Sequence, residues 1–195
     1  MRTRLIARFA AGTLMWACAR AGTPAGEQDL PDPELARLFE QDQAARSGPI
    51  DQVNMTVLGR QDSVRRELVR VREHARALRT ALDYRHAAMI FQHGRASADY
   101  ALAHRWAVRS EALDSTDAAT RWLVAATWDR YQMSRNQPQW YGTQTDRVPR
   151  GTGPVVLYTI DTTRVTDAER RWRGVGTLAE LRARLATMNA HLGFP

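Results

Sequence analysis

The chain has 195 residues, a formal charge of +7 and 44% apolar residues, which suits one domain with a real core plus a tail. All 28 basic residues are arginine, and four of them, more than half of the excess charge, sit in the first 21 residues, which hold no acid. Elsewhere arginines alternate with acids, as in "RRELVRVREH", so no dense basic run marks a nucleic-acid partner, and the single cysteine, Cys18, excludes an internal disulfide.

Residues 1–21 have a basic start, an apolar stretch from Phe9 to about Ala19, and the small-residue pattern Ala19-Arg20-Ala21. This is the layout of a secretory signal peptide, and its apolar run is shorter than the ~20 residues that span a bilayer. Cys18 offers a second reading, lipid attachment after cleavage at Ala17, although Met15 and Trp16 are bulky where small residues usually stand. A buried first helix is the third. Residues 22–31 read as a polar spacer fit for a tether, and residues 32–195 as one helical domain. The expected location is extracytoplasmic, secreted or periplasmic, with a membrane reached only through a lipid anchor.

Asp32-Pro33-Glu34 predicts a helix start, with Asp as cap and Pro at the first helical position; the helix stops near Ser47-Gly48-Pro49. Residues 50–61 read as loop, and Asp62 as the cap of a second helix. Its apolar positions Val64, Leu68, Val71, Ala75 and Leu78 form one stripe. Asp83 opens a third helix, apolar on most of its circumference and therefore central, ended by Gly94. Ser97 opens a fourth, with Ala103, Trp106 and Ala107 inward, and Thr116 or Asp117 a fifth. Residues 136–153 are turn-rich, "VVLYTI" at 155–160 suits a short strand, and Thr166-x-x-Glu169 and Thr177-x-x-Glu180 are capping-box starts of two more helices. The last carries Leu178, Leu181, Leu185 and Met188. The predicted fold is mainly α: a compact bundle of six to seven helices, with a tetratricopeptide-like helical hairpin and a short β-hairpin near 140–160. No fixed-period repeat occurs.

On the fifth helix, Ala118, Trp122, Ala125, Asp129 and Met133 are spaced 4, 3, 4, 4, which puts Asp129 on the apolar stripe. A carboxylate there must be hydrogen-bonded or paired. Consecutive helices joined by short turns run antiparallel, so helices 3 and 5 point the same way. His93 and Asp129 then lie at similar heights, and the segment "QPQWYGTQ" (137–144) leaves from that same end. Pro138 and Gly142 favour a bend, and Gln139, Tyr141, Thr143 and Gln144 supply donors and acceptors. The segment is either a clamp that braces Asp129 or the wall of a binding site.

"FQHG", "WDRY" and "PQWYGTQ", followed by "TDAERR", resemble a bacterial family of unknown function whose signature is Q-H, then D-R, then Q-x-Y-G-T-Q. The resemblance covers roughly residues 35–185. It implies that Gln92, His93, Asp129, Arg130, Gln139, Tyr141, Gly142, Thr143 and Gln144 belong together, and it adds Asp42 and Arg46 from "DQAAR". Gly94 and Arg95 stand where relatives often have an aspartate after Q-H, and no activity is implied.

Three functions remain open from the residues. The first is a site for a small polar ligand or peptide at one bundle end, lined by those nine residues. The second is a hydrolase with His93 as base, Asp129 orienting it and Arg130 stabilising negative charge. The third is a structural or interaction module in which the motif is only a brace. No G-x-S-x-G, P-loop or G-x-G-x-x-G occurs, so no cofactor is expected. His86 and His93 are seven apart and can share a face, whereas His74 and His104 read as solvated, and no metal-ligand spacing is present. Trp106, Trp122 and Trp128 read as core, and Trp140 as the exposed aromatic.

Overall fold

The helices begin where short polar side chains can receive the first free backbone amides, each such cap being worth about 1 kcal/mol. A computed structural model describes residues 30–48 and 53–194; the signal-peptide reading, Cys18 and most of the spacer lie outside the described residues. Asp32 caps α1 (Pro33–Ala44), Asn54 caps α2 (Met55–His74) and Thr80 caps α3 (Ala81–Phe91). In α4 (Ser97–Leu113) the first-turn Asp99 reaches back to the amides of Arg95 and Ala96. Asp117 caps α5 (Ala118–Ser134), and Thr166 and Thr177 cap α6 (Asp167–Trp172) and α7 (Leu178–His191).

Hydrogen bonds at the helix ends fix the helix directions. Ser110, late in α4, donates to the Ala81 carbonyl at the start of α3 (2.7 Å). Ser97, which opens α4, meets Ser134 at the end of α5 (2.8 Å). So α3, α4 and α5 alternate in direction, and the C-terminal ends of α3 and α5 lie at the same end of the bundle. Fully buried alanines, among them Ala87, Ala88, Ala103 and Ala107, leave no bulk on these seams and let the backbones approach closely. Phe91 and Trp106 fill the centre edge to face, 4.8 Å between rings. α3 is the central helix, packed on α1, α2, α4 and α5.

After α5 the chain forms a two-stranded antiparallel sheet. Thr145 of β1 (Thr145–Arg147) lies opposite Leu157 of β2 (Val155–Leu157). Gln139 adds an isolated parallel bridge to Ile160. A second, smaller core of Ala125, Tyr141, Val165 and Val175, with Trp128, Trp140 and Leu181, binds this half to α5. The protein is thus a mainly helical bundle with a short β-hairpin, and among the described residues no helix is long and apolar enough to cross a membrane.

The second helix departs from expectation. It starts at Met55, so Asp62 is not its cap but a buried residue in its interior. Within the helix the apolar stripe faces solvent, Val64 60% exposed and Val71 54%, while Leu78, the last member of the predicted stripe, lies beyond the end of α2 and packs in the core. The buried face carries Leu58, Asp62, Arg65, Arg66 and Val69 instead. Asp62 accepts from Arg46, just past the end of α1 (2.7 Å), and from Arg65 (2.6 Å), so paired charges join Leu58 and Val69 in seating this helix. Burial pushes the Asp62 carboxyl up, but Arg46 and Arg65 outweigh it and hold it below the usual carboxylate range.

Asp83 does not open α3, which begins at Ala81 behind the Thr80 cap. It is the third residue of a capping box with Thr80, is fully buried, and also receives the Asp32 amide at 2.7 Å, tying α1 to α3. On α5, Ala118 and Trp122 face outward, and Leu123, Val124 and Ala126 take their expected place in the core. Trp128 and Trp140 are half-buried and pack together, 4.6 Å between rings. His104 is not solvated: it is half-buried against Trp128.

Two stability experiments follow from this packing. Asp62→Ala strips buried Arg65 of its closest carboxylate and is expected to cost about 3 kcal/mol, while Val64→Ser and Val71→Ser stay within about 0.5 kcal/mol, all read from urea unfolding midpoints. His86 is buried against Phe39, rings stacked 4.4 Å apart, and burial with nearby Arg85 lowers its pKa from 6.5 to about 4. A depressed folded pKa means that the unfolded chain takes up the proton first. The wild type should therefore lose stability relative to His86→Gln as pH falls from 6.5 towards 4, measured by unfolding at stepped pH.

Candidate functional site

Asp129 has no accessible surface at all, and its side chain points at the bend that follows α5. One carboxylate oxygen accepts the amides of Trp140 (2.8 Å) and Tyr141 (3.0 Å). The other accepts the amide and the hydroxyl of Thr143 (2.9 and 2.8 Å). Gly142, at φ +91°, makes the reversal that turns the flanking amides onto one carboxylate, and a side chain there would strike Leu181. Burial lifts the Asp129 carboxyl above its ordinary range, and the three amides and the Thr143 hydroxyl pull it back.

The bend is also stitched to itself. Gln139, fully buried, donates to the carbonyls of Gln144 and Tyr158 (both 2.8 Å) and accepts the Gln144 amide (2.8 Å). From α6, Arg170 donates to the Trp140 carbonyl (2.9 Å) and Glu169 accepts the Tyr141 hydroxyl (3.2 Å). For Gln139, Tyr141, Gly142 and Asp129 the clamp reading describes what their atoms do. Gly142 and Thr143 also border an open cleft of about 440 Å³ against α7, whose remaining wall is mostly apolar (Trp122, Leu157, Leu181, Leu185).

His93 does not meet Asp129. Its Nδ1 lies 3.2 and 3.1 Å from the two oxygens of Asp42, a fully buried carboxylate on α1. Asp42 is held in turn by Arg46 (2.8 Å) and flanked by Arg65 (3.6 Å), and Arg46 and Arg65 share Asp62. With a carboxylate at Nδ1, that nitrogen carries the proton and the lone pair of the neutral ring sits on Nε2. Nε2 has no protein partner among the described residues, and the side chain keeps 16% of its surface exposed.

The end of α3 is the hub that gathers these groups. The three carbonyls just past its last turn, which lie outside the helix's own bonding, are each taken by a different helix. Gln92 receives Arg130 of α5 (2.8 Å), His93 receives Arg66 of α2 (3.1 Å), and Gly94 receives the Tyr100 hydroxyl of α4 (2.7 Å). Arg130 also donates through Nε to the Gln144 side chain (3.2 Å), linking the hub to the bend. Gln92, His93, Arg130 and Gln144 therefore converge with Asp42 and Arg46, while Asp129 stands one residue away with both its oxygens occupied. Burial lowers the basicity of Arg130; Tyr100 works against this and Arg46 with it. Among the described residues no carboxylate pairs with Arg130, and its Nη2 has no acceptor.

Sequence reasoning missed Asp62, Arg65, Arg66 and Arg170. The signal was there for Arg65 and Arg66: arginines three and four positions beyond Asp62 share its helix face. Among the described residues no group of three His, Cys, Asp or Glu is placed to hold a metal ion. No family model, no curated protein and no solved structure matches the chain.

Asp129→Asn retains the shape but turns an amide NH2 onto two of the donors. Leaving them unmatched in the interior should cost about 2–4 kcal/mol, seen as a drop in the urea midpoint at unchanged slope.

Proposed function

We propose that the protein is an exported helical binding module that takes a small polar ligand or peptide at the end of the bundle where α3, α5 and the bend meet. One observation carries this reading. Among the described residues His93 Nε2 and Arg130 Nη2 have no protein partner and lie on neighbouring links of the same hub, whereas Arg65 Nε, also without a hydrogen bond, is buried and already faces the Asp42 carboxylate at 3.6 Å. His93 is also the motif residue that keeps a polar edge open to solvent after its other edge is fixed by a buried acid. Asp129, Gln139 and Gln144 form the frame that holds Arg130 in place. The apolar cleft beside Gly142 suits a polar ligand poorly.

A hydrolase is the second reading, favoured by the Asp42–His93 contact. An imidazole oriented by a carboxylate can act as general base through its free nitrogen. In that reading the orienting acid is Asp42, and the role of Asp129 is confined to the bend.

His93→Ala and Gln144→Ala separate the readings, followed by thermal unfolding with and without a panel of polar compounds. Binding predicts that His93→Ala moves Tm by no more than about 2–4 °C, the equivalent of ~1 kcal/mol in a domain of this size. It also predicts that the ligand-induced rise seen in the wild type disappears in this variant. A hydrolase predicts turnover that His93→Ala abolishes with the fold intact. If both variants simply melt far lower and no compound shifts the wild type, the motif is a brace and nothing more.

A further inference from the structure

We infer that the group received at this bundle end is an oxyanion, a carboxylate or a phosphate, gripped by Arg130 and His93. The inference rests on the binding reading and names the chemistry of its ligand.

The balance of charges around the hub points there. Asp42 and Asp62 are matched by Arg46 and Arg65. Asp99 is matched by Arg66 and Arg70 together, which already leaves positive charge in excess. Arg130 then adds a half-buried guanidinium with no carboxylate among the described residues. Its two occupied nitrogens go to neutral acceptors, the Gln92 carbonyl and the Gln144 amide oxygen. The negative end of the α3 dipole offers only about half an elementary charge, and Arg66 draws on it too through the His93 carbonyl. Burial and the repulsion of Arg46 both disfavour the Arg130 charge. A charge drawn partly out of water is ordinarily paired, and among the described residues the protein supplies this half-buried cation without a counter-ion.

The geometry also fits. Arginine presents a planar fork that matches carboxylate and phosphate oxygens, and Gln144 and the Gln92 carbonyl fix two of its three nitrogens and leave the third without a protein acceptor among the described residues. His93 complements it: an imidazolium backed by Asp42 donates to an oxyanion through Nε2, and the neutral ring accepts from the hydroxyl of a singly protonated phosphate. The 440 Å³ cleft beside α7 lacks both features, since Arg184, the one charged residue on its wall, is turned to the Val175 carbonyl.

The test reads the His93 ring in the 15N-labelled protein by imidazole NMR, with the signals assigned through His93→Gln. Inorganic phosphate and acetate are titrated separately at fixed ionic strength against chloride, and a neutral sugar serves as the polar, uncharged probe. A saturable shift of the His93 signals with phosphate, acetate or both, absent from exposed His74 and His191, is the expected result, and which anion acts tells the two sources apart. Arg130→Gln should weaken that binding at least tenfold. Arg130→Lys, which keeps the charge but loses the fork, should weaken it less. Shifts that grow linearly without saturation, or that survive Arg130→Gln in a folded variant, overturn the inference. A response to the sugar alone overturns the oxyanion and leaves the binding reading standing, while silence of His93 to all three probes removes both.

Discussion

A single carboxylate with no access to water decides the shape of the end of this bundle. Asp129 could sit on the apolar side of α5 only if every one of its lone pairs found a donor, because ionised groups are too well solvated by water to be buried unmatched. The donors come from one short bend, and satisfying them fixes the backbone of residues 140–143 almost completely. From that fixed point the chain enters the hairpin, and Gln144 is delivered to Arg130. The position of the Arg130 guanidinium is thus a downstream result of burying a different charge one residue earlier.

The two charge centres at this end have opposite characters. Around Asp129 an anion is enclosed by neutral backbone amides, and nothing is left over. Around His93 the anions Asp42 and Asp62 are enclosed by arginines, and cationic capacity remains. The first arrangement is rigid and closed, the second polar and open on one side. Placing an open cluster against a closed one is a general way to hold side chains in position without using the ligand to organise them.

Much of this was legible before any coordinates. A period of 3.6 put Asp129 on the wrong side of its helix, and the amide-rich bend close behind it was the nearest supply of donors. The starts of α1, α6 and α7 were legible for the same kind of reason: a cap is a local signal, readable within four residues. What was not legible depended on azimuth. Helix length and direction bring His93 to the correct end, but they do not say which neighbour its ring faces, and Asp42 lies 51 residues away in the chain. α2 shows the converse. Its valines formed the cleaner stripe, yet the buried face is the one whose acid and arginines could be matched by Asp42 and Arg46 on one side and by Asp99 of α4 on the other. A pattern of hydrophobicity does not reveal that pairing, because a paired charge and a solvated one are written with the same letter.

The last helix is fastened differently from the rest. α7 has no fully buried side chain, and Asn189 clasps the backbone of Val155 through two hydrogen bonds (both 2.8 Å), while glycines at 174 and 176 take left-handed turns just before it. An element held by a polar clasp and a shallow apolar contact opens at far lower free energy than one keyed into the interior. Its amides should therefore exchange with deuterium early and as a group, while those gathered on the Asp129 carboxylate exchange last. The molecule would then consist of a slow-exchanging block with a hinged flap, and the flap is one wall of the open cleft beside Gly142.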